Sequence, residues 1–306
     1  MGLESYPARK KHLTSSTLHV VATPIGNLED ITFRAVRVLG EVDLIAAEDT
    51  RVSRVLLQKY NIKTPMFSCH KFNEEKRGVF FLAKLLEGKN VALISDAGVP
   101  CISDPGYRLV SLAQKNGINV TSVCGASSLT AALSVSGFEA SNFMFLGFMP
   151  KIDENVINKM NQGGVFVFFE SPKRIKKTLV KLSEYVIEAS ICLCNDLSKM
   201  FEKIYYGSLC EVLGELDKNP FSEKGEYTCV IESKPKSFEN EGGLSLEALI
   251  VDVMVKKNIG VKEAVREVKA VNKKIQKRQL YDAALRLKGC GGFLCNDFAK
   301  LAPEDE

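Results

Sequence analysis

Five short runs at 18–23, 42–47, 65–69, 91–95 and 118–124 constrain this chain most. Their apolar character is continuous rather than alternating. That pattern suits parallel strands buried on both faces. Amphipathic segments at 32–39, 50–60, 75–86 and 105–115 lie between them, and Gly88 and Gly117 supply stop signals at helix ends. Strand and helix in strict alternation mean βαβ units and a parallel sheet.

A second pattern follows. Residues 143–148 and 165–169 read as strands joined by a polar loop, and 172–185 has helical periodicity. Further strands are expected at 191–197, 202–206 and 227–232, with fewer helices between them. A mixed sheet is the natural product. The stretch 233–243, SKPKSFENEGG, has the composition of a linker.

Beyond it lies a smaller, helical module. Residues 244–258 form one expected helix, the spacing of Val261, Ala264, Val265 and Val268 a second, and Ile275, Leu280, Ala284 and Leu285 a third, ending at Gly289. Between Val255 and Lys288 there are eleven Lys or Arg and three Asp or Glu, a local excess of +8. The whole chain carries only +4, so the remainder is slightly acidic. A basic helical module points to nucleic-acid phosphate, with a solvated helix face as the alternative.

Composition excludes several classes. Hydrophobic residues make up 45% and charged residues 25% of the 306, which is ordinary for a globular protein and leaves no room for a disordered chain. No stretch approaches the ~20 apolar residues of a membrane helix. The polar, basic start lacks a secretory apolar core, so a frayed, cytosolic beginning is expected. The nine cysteines are odd in number and scattered, and with only three histidines they argue for reduced, mostly buried thiols and no metal site.

In an open α/β sheet, ligands bind beyond the carboxyl ends of the strands. Polar and Gly/Pro clusters gather at those ends: Thr23-Pro24-Ile25-Gly26-Asn27, Glu48-Asp49-Thr50-Arg51, Ser95-Asp96-Ala97-Gly98-Val99-Pro100, Cys124-Gly125-Ala126-Ser127-Ser128 and Glu170-Ser171-Pro172. Each has a plain alternative. Pro24 and Gly26 suit a tight turn, Glu48-Asp49 an N-cap, Asp96-Ala97-Gly98 an Asx turn, Ser127-Ser128 a helix cap, and His70 with Asn73-Glu74 a solvated helix start. Five such clusters on one side of a sheet exceed what turns require. Absences also discriminate. There is no G-x-G-x-x-G after the first strand, no G-x-x-x-x-G-K-[ST], no G-x-S-x-G and no metal-ligand spacing.

Taken together, the motifs resemble the ribosomal RNA small subunit methyltransferase I family. They are 21–31 (VATPIGNLEDI), Ala46-Ala47-Glu48-Asp49-Thr50-Arg51, His70 with Asn73-Glu74, 95–100 with Asp104-Pro105-Gly106-Tyr107, and Glu170-Ser171-Pro172 with Arg174. The resemblance runs from about Leu18 to Glu232 and more loosely through the helical module. It implies a tetrapyrrole-methylase-like α/β fold: two α/β subdomains with a cofactor cleft between them, plus a small C-terminal helical module. The implied layout is a flexible start at 1–17, subdomains at 18–126 and 127–235, a basic RNA-binding module at 244–289 and a tail at 290–306. The implied reaction is S-adenosylmethionine-dependent methylation of a cytidine ribose 2′-hydroxyl in 16S rRNA of the small ribosomal subunit, by a cytoplasmic homodimer. Other readings are a tetrapyrrole or diphthine methyltransferase of the same fold, and a non-catalytic RNA-binding or ribosome-assembly protein.

By position, the resemblance assigns the cofactor to Ile25, Val99, Ile102, Ser127 and Ser128, with Phe169 and Leu197 from the second subdomain; Asp96 and Gly98, in the cluster after the fourth strand, are further cofactor candidates. Glu48, Asp49, Arg51 and His70 are the catalytic candidates: a carboxylate or imidazole to take the ribose proton or hold the ribose, and a guanidinium to counter charge. Lys273, Lys274, Lys277 and Arg278, the densest basic cluster, are the RNA candidates. The chain departs from the family pattern at Cys124-Gly125-Ala126, where Pro-Gly-Pro is usual. It departs again at 195–199 (NDLSK), where Arg-Glu-Leu-Thr-Lys is usual, and at Val99, where Thr is usual.

Overall fold

The computed structural model describes residues 16–186, 188–235, 245–271 and 275–289. Most of the expected flexible start, most of the 233–243 linker, Lys273, Lys274 and the 290–306 tail lie outside the described residues.

The continuous apolar runs do form a parallel sheet. Strands β1 (Thr17–Val21), β2 (Leu44–Ala47), β3 (Met66–Ser68), β4 (Val91–Ile94) and β5 (Asn119–Val123) are connected by α1 (Phe33–Glu41), α2 (Thr50–Lys59), α3 (Glu74–Leu86) and α4 (Tyr107–Lys115). Their spatial order is β3-β2-β4-β1-β5, and every pairing is parallel. All four residues of β4 are buried, because its two faces meet different cores. Ala92 and Ile94 pack with α1 residues Ala35, Val38 and Leu39 on one side. Val91 and Leu93 pack with Phe81 and Leu85 of α3 and Leu109 of α4 on the other. The strand therefore reads as one apolar run.

The second sheet contains β6 (Phe143–Phe148), β7 (Gly164–Glu170), β8 (Ala189–Asn195), β9 (Lys203–Ser208) and β10 (Tyr227–Ser233), in the order β6-β7-β10-β8-β9. It is mixed: β6 and β7 run parallel, and the remaining neighbours are antiparallel. Helix α5 (Ser128–Val135) leads from the first sheet into it. One of its faces buries Phe166, Phe168, Leu193 and Tyr227 against α7 (Ile175–Tyr185) and α8 (Leu209–Lys218).

Two helices here differ from the sequence expectation. The segment expected as a polar loop contains α6 (Glu154–Met160). Asp153 starts it by accepting hydrogen bonds from the amides of Asn155 and Val156, and Met160 anchors it in the core. With one turn's worth of apolar residues, it is too short for periodicity to reveal. Helix α8, also unnamed in the sequence reading, begins with a capping box in which the Ser208 hydroxyl and the Glu211 carboxylate each accept from the other's backbone amide.

The third set of helices is a separate compact unit beginning at 236, described here by itself. Helices α9 (Leu246–Lys257), α10 (Val261–Val271) and α11 (Lys277–Gly289) share a core of Leu246, Ile250, Val261, Ala264, Val268 and Leu280. Arg286 pairs with Glu247 and Lys257 with Glu267, which ties the helices together at the surface. Lys277 and Arg278 are exposed at the start of α11.

One buried acid holds the loop that the site depends on. Glu74 is 4% exposed. Its Oε1 accepts from the amides of Gly106 at 3.0 Å and Arg108 at 2.9 Å, so α3 clamps the start of α4. Gly106 sits there at φ +125°, a conformation that L side chains rarely adopt. A Cβ at that position would lie 2.7 Å from Leu93 Cδ2. The loop from β4 to α4 is thereby fixed at its α4 end.

Candidate active site

A cavity of about 300 Å³ opens between the ends of the two sheets. The first sheet contributes the loops after β1 and β4, the second the ends of β6 and β7 and the segments after β8 and before β10. Its apolar lining includes Ile25, Val99, Ile102, Phe148, Phe169 and Leu197; its polar lining includes Asp104, Ser127, Ser128 and Thr228.

The walls are firmly tied. Thr23 and Gly98 exchange backbone hydrogen bonds at 2.9 and 3.1 Å, and the Thr23 hydroxyl donates to the Ser95 carbonyl at 3.2 Å. Gly98 has φ +79°, and a Cβ there would sit 3.4 Å from the Ile25 side chain. Across the cavity, Phe169 packs edge-on against Phe145 and Phe148, with ring centroids 5.1 and 5.8 Å apart. Glu170 has a fully buried side chain that accepts from the Ser171 amide and the Thr178 hydroxyl, each at 2.7 Å, and pairs with Arg174 at 3.2 Å. The Glu-Ser-Pro motif is therefore a turn held by its own first residue. At one end the 196–202 loop reaches the first sheet. Ser198 hydrogen-bonds Asp30, and Lys199, paired with Asp196 at 2.7 Å and Glu226 at 2.9 Å, fills the space beside Gly26.

Beyond the ends of β2 and β4 four carboxylates converge. The Asp49 amide donates to Asp96 Oδ1 at 2.9 Å, and the Asp96 amide donates to Glu48 Oε2 at 3.3 Å. Burial raises the pKa of Glu48, and the charges of Asp96 and Asp49 add to it. Burial raises Asp96 as well. Asp104 is pushed up to about 7 by burial and then by the charge of Glu48, against a hydrogen bond from Ser95. Asp49 goes the other way. The Arg51 guanidinium, 2.5 Å from its carboxylate, holds it down at about 2. The environment thus separates the acids, leaving one ionised and one poised near neutrality.

Comparison with known proteins places this geometry in a family. The model of the Tetrapyrrole (Corrin/Porphyrin) Methylases matches residues 17–213. The protein named ribosomal RNA small subunit methyltransferase I in Thermotoga maritima is 44% identical over 220 residues, 71% of this chain and 98% of that one. The protein of that name in Pseudomonas aeruginosa is 38% identical over 282 residues, 90% of this chain and 99% of that one. The chain belongs to the ribosomal RNA small subunit methyltransferase I family. Solved structures agree on the fold. A diphthine synthase superposes with a TM-score of 0.56 at 15% identity, covering 72% of this chain and 90% of that one. A cobalt precorrin-4 methyltransferase superposes with a TM-score of 0.55 at 16% identity, covering 71% of this chain and 94% of that one.

Within this methyltransferase fold, eight of the nine residues expected at the cofactor line one cavity: Ile25, Gly98, Val99, Ile102, Ser127, Ser128, Phe169 and Leu197. Asp96 is placed elsewhere. Its carboxylate turns to the Asp49 amide, and it lines a neighbouring cavity with Asp49 and Arg51. Asp49 is also the N-cap of α2, accepting from the Arg51 amide, so the plain alternative describes part of what it does. Ser127 occupies the N-cap of α5 but makes no capping hydrogen bond with its hydroxyl. His70 Nδ1 accepts from the Phe72 amide at 3.2 Å, and its ring faces Asn73 at the start of α3; its charge reaches Glu48. The departure at Cys124-Gly125-Ala126 keeps its one necessary residue, since a Cβ on Gly125 would lie 2.9 Å from Ala22 Cβ.

Asp104 stands in the motif Asp104-Pro105-Gly106-Tyr107 but was not among the expected site residues. The signal was present: an Asp-Pro-Gly turn shortly after an apolar strand. Its burial between Glu48 and the cavity depends on the loop clamped by Glu74, which no local pattern reveals. Because the folded pKa is raised, Asp104 is neutral in the fold and ionised in the unfolded chain between about 4 and about 7. Stability attributable to it falls as pH rises through that window. Asp104→Asn is therefore expected to stabilise the protein at pH 8, by about 1–2 kcal/mol after allowance for solvent. At pH 5 the gain should shrink, as read by thermal unfolding at both pH values.

Proposed function

We propose that this chain transfers the methyl group of S-adenosylmethionine to the 2′-hydroxyl of a cytidine ribose in 16S rRNA, with Asp104 as the base. The observation that carries the reading is a cavity bordered by a carboxyl poised near pH 7 and flanked by carboxylates at the strand ends. The cavity suits the cofactor. Flat apolar walls from Ile25, Phe148 and Phe169 match an adenine, and the uncommitted Ser127 hydroxyl matches a polar group. Gly98 brings bare backbone to the wall at φ +79°. When bound, S-adenosylmethionine supplies an electrophilic methyl carbon on a sulfonium.

The residues of the chain then have three tasks. Ile25, Val99, Ile102, Phe169 and Leu197 exclude water and hold the donor, so that attack is a matter of alignment. Asp104 accepts the proton that the ribose hydroxyl loses, and a base is most effective when its pKa lies near the working pH. Glu48 raises Asp104 by its charge and is itself raised by burial. Asp49, held near 2, is a weak base, so its role is to aim Arg51 at RNA phosphate. His70 modulates Glu48 through charge.

Affinity for RNA comes in this reading from the basic helical unit. Lys277 and Arg278 are its described cluster residues, and both are exposed. The reading also includes a homodimer in the cytoplasm; no helix among the described residues is long and apolar enough to cross a membrane.

Labelled methyl transfer to isolated small subunits, followed by digestion and mass spectrometry, tests the reading. Label is expected on one cytidine ribose of 16S rRNA, and its absence there overturns the assignment. Below pH 7 the rate should rise about tenfold per unit and then level off, because the raised carboxyl must be ionised to act. Asp104→Asn should lower kcat at least ~100-fold while leaving cofactor binding within a few-fold. A double charge reversal, Lys277→Glu with Arg278→Glu, is expected to weaken RNA binding about tenfold and reduce the salt slope by about 2. Filter binding at several salt concentrations measures both.

A further inference from the structure

The cavity that suits the cofactor leaves part of the first sheet uncovered. Among the described residues that line it, none comes from the loops after β2 or β3. Asp104 lines it, yet Glu48, whose charge raises Asp104, follows β2. The ends of β2 and of the edge strand β3 are thus an approach to the acids that a bound donor does not block. The Cys69 amide, just past β3, still donates to the Ala47 carbonyl at 2.7 Å, so the two strand ends emerge side by side.

An aromatic side chain stands on that approach. Phe72 is 94% exposed, and the turn that carries it is closed by its own polar groups. The His70 amide donates to Asn73 Oδ1 at 2.8 Å, the Phe72 amide to His70 Nδ1 at 3.2 Å and the Glu74 amide to the His70 carbonyl at 2.9 Å. The His70 ring meets the Phe72 ring edge to face, centroids 6.2 Å apart, and the charge of His70 reaches Glu48. Glu74 ties this turn to a second aromatic: it accepts from the amides of Gly106 and Arg108, and Tyr107 between them is 59% exposed. The Tyr107 hydroxyl accepts from Arg108 Nε at 3.1 Å. A single exposed apolar side chain is ordinary. Here two aromatics sit on segments clamped to each other, at the ligand-binding end of a sheet, among cations. Within 71–76 and 107–108, exposed Lys71, Lys76 and Arg108 outnumber the one exposed acid, Glu75. Its carboxylate is 3.9 Å from Arg108, a loose pair in water that holds little.

We propose that Phe72 and Tyr107 are stacking platforms for the unpaired bases beside the acceptor cytidine, with Lys71, Lys76 and Arg108 taking the phosphates. This inference rests on the proposed methyl transfer to RNA and names the side from which that substrate is held. Single-stranded RNA is gripped by aromatic rings under its bases and by cations along its backbone, and every base has a π-face to offer. The patch supplies both. An isologous contact with a second copy of the chain would instead bring the same cations against one another. The turn that presents Phe72 is also the one whose His70 faces Glu48, so a base stacked there lies next to the group of acids.

Full-length Phe72→Ala and Tyr107→Ala test it, with Phe72→Trp as the conservative replacement and Lys71→Ala with Lys76→Ala as the charge control. The probes are a fluorescein-labelled single-stranded RNA dodecamer with one central cytidine and the same strand lacking the bases on either side of it. Wild type should bind the intact strand about tenfold more tightly than the abasic one. Phe72→Ala should lose about tenfold on the intact strand and little on the abasic one, with an unchanged salt slope, because a stacked ring releases no counterion. Phe72→Trp should keep wild-type affinity, and the double lysine variant should lower the salt slope by about 1.4. Both single alanine variants should raise the KM for small-subunit RNA about tenfold, with kcat and calorimetric affinity for S-adenosylmethionine within twofold of wild type. Wild-type RNA affinity and KM in both would overturn the inference, even if methyl still enters the cytidine ribose. Equal losses on intact and abasic strands would overturn it too, as would a smaller sedimenting species with RNA affinity intact, the mark of a contact between copies. If the stacking losses appear yet no methyl enters small-subunit RNA, the platforms stand and the methyl-transfer reading falls.

Discussion

Two parallel strands end side by side with carboxylates where their ladder runs out. The amide after β2 binds the carboxylate after β4, and the amide after β4 binds the carboxylate after β2. This reciprocal pair does what further strand residues would otherwise do: it satisfies backbone donors at a partly desolvated sheet edge. Its consequence is electrostatic. Acids held by backbone amides at a strand end stay close together and partly out of water. Burial, and after it the charge of the neighbouring acids, raises Glu48, Asp96 and most strongly Asp104. The site's proton chemistry is a by-product of how the sheet ends.

The second sheet supplies the complementary half. Its Glu170 is buried with three partners and fixes the turn that carries Phe169 to the cavity. Its 196–202 loop crosses to the first sheet through Ser198 and Lys199. The chain's unusual Asn195 fits the same frame, donating to the carbonyls of Lys224 and Glu226 at 3.4 Å each. The departures from the family pattern therefore leave both halves of the cavity wall connected.

Much of this architecture was readable from residues alone, and for physical reasons. Continuous apolar runs separated by amphipathic helices leave few options besides a parallel sheet, and ligand chemistry belongs at its carboxyl ends. The clusters around Ile25, Gly98, Val99 and Ser127 were found that way, and they line one cavity. What escaped depended on non-local packing. Helix α6 is set by an Asp153 cap and one buried methionine rather than by a repeating stripe. Asp96 looked like its neighbours but turns to the opposite side of a wall one residue thick. Asp104 gains its significance from a clamp between Glu74 and the start of α4, residues 30 or more positions apart.

The central claim is that the folded chain keeps one proton of the carboxylate group until near neutrality and that it resides on Asp104. Carbon-13 NMR titration of the aspartate carboxyl carbons, with the Asp104→Asn protein to assign the resonance, measures this directly. The account predicts a midpoint at about 7 for Asp104, well above the ordinary 3.8. A midpoint near 4 would contradict it and leave the site without its base.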